Sequence, residues 1–267
     1  MAGEFSKFEE QAIVIPEGKI QMRLAGEGEP LLLLHGELGF PGWMRYHRTL
    51  SEQFRVMAPS HPGYDESDRL DWAMHISDLA GVYLQVLDDL ELSGVKMVGF
   101  SMGGWLAAEM AAMDPGKFSK LVLVGPMGVK PEKGEIYDLF LNVATEFLEE
   151  SFLNPNSVEE YATIRPDEPS PEQEELWEVG REQSARLAWK PFMYNPTLPY
   201  LLRRLKTLQT LIVSGKQDSI VPLDSLRIYN ESIPGSSLSL IDQSGHRPEI
   251  EKPEDFLKLV TNFLKQR

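Results

Sequence analysis

The chain has 267 residues, no cysteine and a formal net charge of −15, and 42% of its residues are hydrophobic. This composition suits one large α/β domain with an insertion, excludes disulfides and thiolate metal sites, and argues against nucleic-acid binding, which needs a basic surface. No apolar run approaches the roughly 18 residues of a membrane span, and residues 1–11 lack the apolar core of a signal peptide. We therefore expect a cytoplasmic protein that binds neither membranes nor nucleic acids.

Short apolar or alternating runs bounded by turn residues predict strands along the chain. Pro16-Glu17-Gly18 separates the first two runs and predicts a hairpin, and the third run, residues 31–34, is apolar throughout, as in strands buried on both faces. Helical spacing follows at 76–90 and 105–113. Because strands and helices alternate, we predict an α/β fold with a mostly parallel sheet and helices on both faces. The predicted strands are residues 12–15, 19–24, 31–34, 55–58, 96–100, 121–124, 210–213 and 237–241.

The acidic residues are concentrated in one part of the chain. Residues 126–189 hold 15 acidic and 5 basic side chains, and this segment has no strand pattern. We predict a helical cap at residues 126–200, inserted between core ranges 1–125 and 201–267. Its charge is interpreted either as a solvated face or as a field that disfavours anionic substrates.

The strongest functional motif is Gly99-Phe100-Ser101-Met102-Gly103. A predicted strand leads into it and a predicted helix leads out, which places Ser101 on a sharp turn at the carboxyl edge of the sheet. The flanking glycines remove Cβ clashes at such a turn. Ser101 is therefore the predicted nucleophile.

A serine nucleophile needs a base, and the base needs a carboxylate to orient it. Of the five histidines, only His246 and His35 follow the carboxyl end of a predicted strand, and His246 is the better base because a late loop can fold over the nucleophile. Asp218 also follows a strand and gives the chain order Ser, Asp, His. Three other aspartates are weaker candidates by their positions in the chain: Asp65, Asp224 and Asp242.

The negatively charged oxygen formed by nucleophilic attack needs two hydrogen-bond donors. We predict the backbone N–H of Met102, at a helix N-terminus, and that of Glu37, in a glycine-flanked loop after the third strand. A carboxylate pointing inward would oppose this negative charge. The side chain of Glu37 is therefore expected to point outward or to pair with Arg45 or Arg48.

Several ordered motifs span nearly the whole chain: His35-Gly36, residues 59–64, residues 99–104, Asp218 with Val221-Pro222, and Gly245-His246. Together they resemble the α/β-hydrolase superfamily, in its capped branch of esterases and carbon–carbon hydrolases. The resemblance implies an eight-stranded sheet, a Ser-Asp-His triad and a helical cap after the sixth strand. Relatives that cleave ring-fission products usually have tryptophan after the catalytic histidine, where this chain has Arg247.

Seven residues are candidates to line a substrate pocket, since an apolar lining suits a small acyl or aryl substrate. The alternative for each aromatic is ordinary core packing. Arg186 would either bind a substrate carboxylate or pair with glutamates along its helix. The candidates are Leu38, Phe100, Trp105, Met127, Arg186, Trp189 and Tyr194.

These residues predict a cofactor-free, metal-free serine hydrolase that cleaves a small, mainly neutral ester or lactone through an acyl-enzyme. One alternative is a carbon–carbon hydrolase of vinylogous diketones that uses the same triad. Another is a non-catalytic ligand receptor on a hydrolase scaffold. We expect a small-molecule substrate and a monomer or homodimer.

Overall fold

The computed structural model describes residues 8–266; residues 1–7 and 267, at the outer ends of the predicted core ranges, lie outside the described part, as does most of the 1–11 segment. Within the described residues, eight strands form one sheet. The strands are β1 Glu9–Ile15, β2 Gly18–Ala25, β3 Pro30–Leu34, β4 Arg55–Pro59, β5 Val95–Phe100, β6 Phe118–Val124, β7 Gln209–Gly215 and β8 Ser237–Ile241.

The strands lie in the order β1-β2-β4-β3-β5-β6-β7-β8. The hairpin partners β1 and β2 are antiparallel, as are β2 and β4, while the pairs from β4 to β8 are parallel. The predicted fold class, a mostly parallel eight-stranded sheet, is therefore confirmed. Because β3, β5, β6, β7 and β8 run in the same direction, the loops after them leave from one edge of the sheet.

Helices cover both faces of the sheet. Leu32 and Leu34 of β3 belong to one buried cluster and Leu31 and Leu33 to the other, which is the alternation expected of a strand packed on both sides. The helices are α1 Arg45–Ser51, α2 Ile76–Asp89, α3 Met102–Met113, α4 Ala144–Glu150, α5 Tyr161–Ile164, α6 Pro171–Ala188, α7 Leu198–Leu201, α8 Leu223–Ser232, α9 Pro248–Glu251 and α10 Pro253–Lys265. Single turns of 3-10 helix lie at Pro115–Lys117, Pro155–Ser157 and Leu202–Arg204.

The acidic segment lies between β6 and β7 and contains α4, α5 and α6. The short helix α7 ends at Leu201, one residue beyond the predicted cap boundary, and the exact division at 126–200 stays a prediction. Helix α6 packs on the loop after β3: a Cβ at Gly180 would lie 3.0 Å from the backbone of Leu38. Among the described helices, none has the length and apolar character needed to cross a membrane.

Candidate active site

Ser101 is the single residue between β5 and α3, and its backbone is in the left-handed region with φ of 51°. A non-glycine residue in such a conformation costs on the order of 1–3 kcal/mol, so the surrounding structure must enforce it. A Cβ at Gly99 would lie 2.2 Å from the carbonyl oxygen of Gly103, and one at Gly103 equally close to that of Leu34. Glycine is therefore required on both sides of the turn that presents Ser101.

The three residues predicted as a triad meet at the edge of the sheet. The Nε2 of His246 lies 2.9 Å from the Oγ of Ser101, and its Nδ1 lies 3.0 and 3.1 Å from the two carboxylate oxygens of Asp218. An ionised carboxylate only accepts hydrogen bonds, so Nδ1 carries the proton and Nε2 accepts from the serine hydroxyl. The arrangement can move a proton from Ser101 to His246.

The acidic member is oriented by its own loop. In Asp218, Oδ1 accepts from the backbone N–H groups of Ile220 and Val221, at 2.9 and 2.8 Å, and Oδ2 accepts from the hydroxyl of Ser214 at 2.6 Å. The side chains of His246 and Asp218 are almost completely buried. Both carboxylate oxygens are thus satisfied while still facing the imidazole.

Burial and mutual charge act in opposite directions on this pair. Burial alone raises the pKa of Asp218, but the charge of His246 and the hydrogen bonds from His246 and Ser214 lower it overall. Burial alone lowers the pKa of His246, but the charge and hydrogen bond of Asp218, with a further contribution from Glu37, raise it above its ordinary value. The pair therefore strengthens His246 as a base.

The loop that carries His246 is fixed at two points. The N–H of Gly245 donates to the carboxylate of Glu251 at 2.6 Å. The N–H of His246 donates to the carbonyl of Ser151, just after α4 in the acidic segment, at 2.8 Å. The acidic segment thus contributes directly to the placement of His246.

The two predicted oxyanion donors lie in neighbouring segments, the start of α3 and the loop after β3. Met102 is the first residue of α3, where a backbone N–H has no carbonyl partner within the helix. The loop after β3 approaches the nucleophile, because a Cβ at Gly36 would lie 3.4 Å from the Cβ of Ser101. This placement agrees with the predicted donors, Glu37 and Met102; their role stays a prediction.

The expected orientation of the Glu37 side chain was wrong. The carboxylate is fully buried, and its Oε1 lies 3.5 Å from Nη2 of Arg247. Of the expected partners, Arg48 pairs with Glu160 at 2.9 Å, and the guanidinium of Arg45 pairs with Glu254 at 3.3 Å. The reason is a long-range contact: Arg247 enters the site immediately after His246 and stabilises an inward carboxylate.

Two buried histidines support the loop after β3. The Nε2 of His35 accepts the N–H of His61 at 2.9 Å, and the Nε2 of His61 lies 3.0 Å from the carbonyl of His35. Burial lowers the pKa of His35 to about 3, so it is neutral at physiological pH. His35, the second candidate base, is therefore a structural residue of the loop that precedes Glu37.

A cavity of about 450 Å³ opens beside the triad, within the usual size of small-molecule pockets. A space of about 20 Å³ bordered by Ser101 and His246 shares four wall residues with it: Gly36, Phe100, Arg247 and Glu249. Within residues 8–266, no group of three or more His, Asp and Glu side chains is arranged to hold a metal ion. The wall of the larger cavity is partly aromatic and partly polar. Its aromatic residues are Phe8, Phe40, Trp43, Tyr46, Phe100 and Trp177. Its charged residues are Glu10, Arg23, Asp65, Arg247 and Glu249.

Of the seven predicted pocket residues, Leu38 and Phe100 lie on the wall of this cavity. The other five lie elsewhere, which corrects their assignment. Trp105 and Met127 belong to the buried core, and the indole N–H of Trp105 donates to Glu109 at 3.0 Å.

The remaining three are also held away from the cavity wall. Arg186 donates to the backbone carbonyls of Leu70 and Ala73, so its charge is directed at the chain itself. Trp189 is 52% exposed, and Tyr194 forms a single β-bridge with Gly128.

Sequence reasoning missed Arg247, Glu249 and Arg23 as wall residues. Arg247 and Glu249 lie one and three residues after the predicted base His246, so their position in the chain could have marked them as candidates. Arg23 lies on β2, far in sequence from any motif, and carries no such signal. It stacks on Phe40 at 4.0 Å and forms ion pairs with Glu10 and Asp65.

Comparisons with known proteins agree with this architecture. The chain is 29% identical over 261 residues to 2-hydroxy-6-oxo-2,4-heptadienoate hydrolase of Pseudomonas putida, with 90% of each chain covered. It is 30% identical over 277 residues, covering 94% of each, to a 2-hydroxy-6-oxononadienedioate/2-hydroxy-6-oxononatrienedioate hydrolase of the same species. Among solved structures, 2-hydroxy-6-oxo-6-phenylhexa-2,4-dienoate hydrolase from Rhodococcus sp. strain RHA1 aligns with a TM-score of 0.80 at 21% identity, over 98% of this chain and 100% of that one.

Residues 29–253, which are more than half of the chain, match the family described as the α/β hydrolase fold. The match spans the strands from β3 to β8 and includes Ser101, Asp218 and His246. This chain belongs to the α/β hydrolase fold family.

Proposed function

We propose that this protein is a serine hydrolase that cleaves a carbon–carbon bond next to a ketone in a 2-hydroxy-6-oxo-dienoate type of substrate. The observation that carries the proposal is the hydrogen-bonded Asp218–His246–Ser101 relay beside a cavity of about 450 Å³. The names of the relatives given above favour this substrate class over the ester or lactone expected from the sequence.

The geometry suggests a two-step reaction. The Oγ of Ser101 adds to the ketone carbon while Nε2 of His246 takes the hydroxyl proton, and the backbone N–H groups of Glu37 and Met102 stabilise the new oxyanion. The carbon–carbon bond then breaks, leaving its electron pair on the conjugated fragment, which receives the proton from His246. Water, deprotonated by His246, releases the acyl group from Ser101 as a carboxylic acid.

Ester or lactone cleavage remains the second candidate, and one observation favours it. The two arginines on the cavity wall already face carboxylates: Arg23 lies 3.5 Å from Glu10 and 3.8 Å from Asp65, and Arg247 lies 3.5 Å from Glu37. A neutral ester needs no cation for binding, whereas a dienoate brings a carboxylate. The same relay cleaves either bond.

The direct test compares the two bond types with one enzyme preparation. We expect turnover of a 2-hydroxy-6-oxo-dienoate, followed by the loss of its conjugated absorbance, to exceed turnover of phenyl and p-nitrophenyl acyl esters. Ser101→Ala should lower both activities by about 10⁴-fold or more. Ser119→Ala, at an exposed hydroxyl bonded to the Gly94 carbonyl, is the matched control and should keep wild-type rates.

Two results would overturn the proposal in different ways. Faster turnover of esters than of the dienoate would favour the second candidate. Absence of both activities, together with no labelling of Ser101 by a fluorophosphonate, would favour the third alternative, a ligand receptor. The intact relay argues against that receptor. The cytoplasmic location and the monomer or homodimer state stay predictions.

A further inference from the structure

The cavity beside the triad has a polar end at Arg23, a residue of β2. In the sheet, β4 and β3 separate β2 from β5, the strand that leads into Ser101. Since neighbouring strands lie about 4.8 Å apart, the backbones of β2 and β5 are about 14 Å apart. The β2 end of the cavity, formed by Glu10, Arg23 and Asp65, therefore receives a part of the substrate that is remote from the reacting carbonyl.

Arg23 and Asp65 each leave one polar atom free at the β2 end. Nη1 of Arg23 donates to the hydroxyl of Ser60 at 2.8 Å, and that hydroxyl donates to Oδ2 of Asp65. Within residues 8–266, Nη2 of Arg23 and Oδ1 of Asp65 have no hydrogen-bond partner. Both atoms are accessible, because the buried side-chain atoms that lack a partner in this range belong to other residues. The β2 end thus offers one free donor and one free acceptor.

Neighbouring wall residues place these two atoms at the cavity. The guanidinium of Arg23 lies over the ring of Phe40, at 4.0 Å from its centroid. A Cβ at Gly39 would lie 3.7 Å from Oδ1 of Asp65. Gly39 and Phe40 line the same cavity as Arg23 and Asp65. Of the side chains of Arg23 and Asp65, 13% and 17% remain exposed, so a bound molecule can contact both.

The β2 end carries an excess of negative charge. Two carboxylates flank one guanidinium: Glu10 lies 3.5 Å from Nε of Arg23, and Asp65 lies 3.8 Å from its Nη1. A further carboxylate would be repelled by this excess, whereas an ammonium group would be repelled by the guanidinium. A neutral group that both donates and accepts hydrogen bonds fits the two free atoms. The carboxylate of a dienoate is thus turned away, and the acyl arm on the other side of the ketone occupies this end.

We propose that the β2 end selects substrates whose acyl arm is an aromatic ring with a hydroxyl group. Aromatic side chains surround this end, because Phe40 lies under Arg23 and Trp43 contacts the rings of Phe8 and Phe40. All three line the cavity and can pack against an aromatic ring of the substrate. The hydroxyl of that ring donates to Oδ1 of Asp65 and accepts from Nη2 of Arg23.

This inference rests on the proposed function and names its substrate class, a 2-hydroxy-6-oxo-dienoate with a hydroxyphenyl group on the ketone. Arg23 and Asp65 are then residues that determine specificity, and neither takes part in the proton relay. A hydrogen bond to a charged group accounts for a preference of about 10-fold in kcat/KM. A carboxylate in place of the hydroxyl should lower kcat/KM by about 10-fold or more.

The experiment uses 2-hydroxy-6-oxo-hexa-2,4-dienoates with four groups at the ketone: phenyl, 4-hydroxyphenyl, 4-methoxyphenyl and 4-carboxyphenyl. The hydroxy and methoxy groups have similar electronic effects on the ketone, but only the hydroxyl donates a hydrogen bond. Loss of the conjugated absorbance at about pH 7, where most of the phenol is protonated and the carboxyl is ionised, gives kcat/KM for each. For the wild type, we expect the hydroxyphenyl substrate to exceed the phenyl and methoxyphenyl substrates by about 10-fold, and the carboxyphenyl substrate to be the slowest.

Three variants test the two residues separately. Asp65→Gly removes the free acceptor and should abolish the hydroxyl preference; glycine suits this position, where φ is 48°. Asp65→Asn removes the charge and should raise turnover of the carboxyphenyl substrate, whereas Arg23→Met adds to the negative excess and should lower it further. Arg55→Met, at an exposed arginine of β4, is the matched control and should keep the wild-type order. If Arg23→Met does not fold, the wild type and the two Asp65 variants decide the matter.

Three results would overturn the subsite: equal rates for the hydroxyphenyl and methoxyphenyl substrates in the wild type, a carboxyphenyl rate at or above the phenyl rate, or an unchanged hydroxyl preference in Asp65→Gly. Phenyl esters of the correspondingly substituted benzoic acids, followed by release of phenol, separate this failure from a failure of the proposed function. A hydroxyl preference among these esters without dienoate turnover removes the carbon–carbon cleavage and keeps the subsite. Dienoate turnover without the preference removes the subsite alone.

Discussion

Replacing Ser184 by alanine should disturb the loop after β3, which carries the proposed oxyanion donor Glu37, from the side of helix α6. Ser184 lies on α6, and its hydroxyl donates to the backbone carbonyl of Glu37 at 2.8 Å. The hydroxyl of Tyr64 lies 2.9 Å from the hydroxyl oxygen of Ser184. Since Ser184 gives its only proton to the carbonyl, Tyr64 must be the donor in the second bond.

The size of the effect follows from these two bonds. In Ser184→Ala, a buried carbonyl at residue 37 and a buried tyrosine hydroxyl both lose their partner, and each loss costs about 1–3 kcal/mol of folding free energy. Loss of one complete oxyanion donor lowers kcat by about 10²- to 10³-fold. The Glu37 loop keeps its contacts with Gly180 and His61, so we expect a smaller fall in kcat, of about 10-fold, with little change in KM.

The assay is steady-state hydrolysis of whichever substrate the wild type turns over fastest, together with thermal unfolding. Ser170→Ala is the matched control, because Ser170 caps the same helix by accepting from the N–H of Gln173 at 3.2 Å. It should cost about 1 kcal/mol of stability and leave kcat unchanged. An equal fall of kcat in both variants, or none in Ser184→Ala, would refute the role of Ser184 in positioning the loop.

Two further predictions concern the base His246 and the turn that presents Ser101. The value of kcat/KM should rise with pH as His246 loses its proton, because Asp218 and Glu37 raise the pKa of His246. Glu37→Gln removes one of these charges and should move this rise to lower pH. A shift of the rise to higher pH would contradict the assigned interaction. Gly103→Ala places a Cβ 2.2 Å from a backbone oxygen and should destabilise the protein by about 2 kcal/mol or more in urea unfolding. Gly81 lies in α2 with open space around it, so Gly81→Ala should instead stabilise the protein by about 0.5–1 kcal/mol. Equal losses of stability in both variants would argue against steric crowding at the turn that presents Ser101.

The sheet was predictable because the hydrophobic patterns that indicate strands coincide with the segments that pair in the sheet along most of the chain. The differences lie at strand ends and have a physical cause. The first strand was predicted from residue 12, but β1 begins at Glu9, where backbone pairing with Leu24 continues although the side chains face solvent. Hydrophobic patterning reports burial of side chains, whereas strand length depends on backbone hydrogen bonds.

The meeting of Ser101, Asp218 and His246 was predictable because each residue follows a parallel strand, and such strand ends share one edge of the sheet. The side chain of Glu37 was not, since its partner Arg247 lies 210 positions away in the chain. The cavity wall was not predictable either. Helical spacing marks Trp105 as inward-facing but does not distinguish the core from a cavity.

The acidic segment contacts both loops that carry the proposed chemistry. The carbonyl of Ser151 fixes the backbone of His246, and the hydroxyl of Ser184 fixes that of Glu37. Ser151 directly follows α4 and Ser184 lies on α6, so two separate parts of the acidic segment contact the loop of His246 and the loop of Glu37. The contact of Ser151 is made by its backbone and that of Ser184 by its side chain, so only the second contact depends on the residue type. Here we expect changes in substrate preference to arise on the cap residues that face the cavity, such as Trp177, rather than at Ser151 or Ser184.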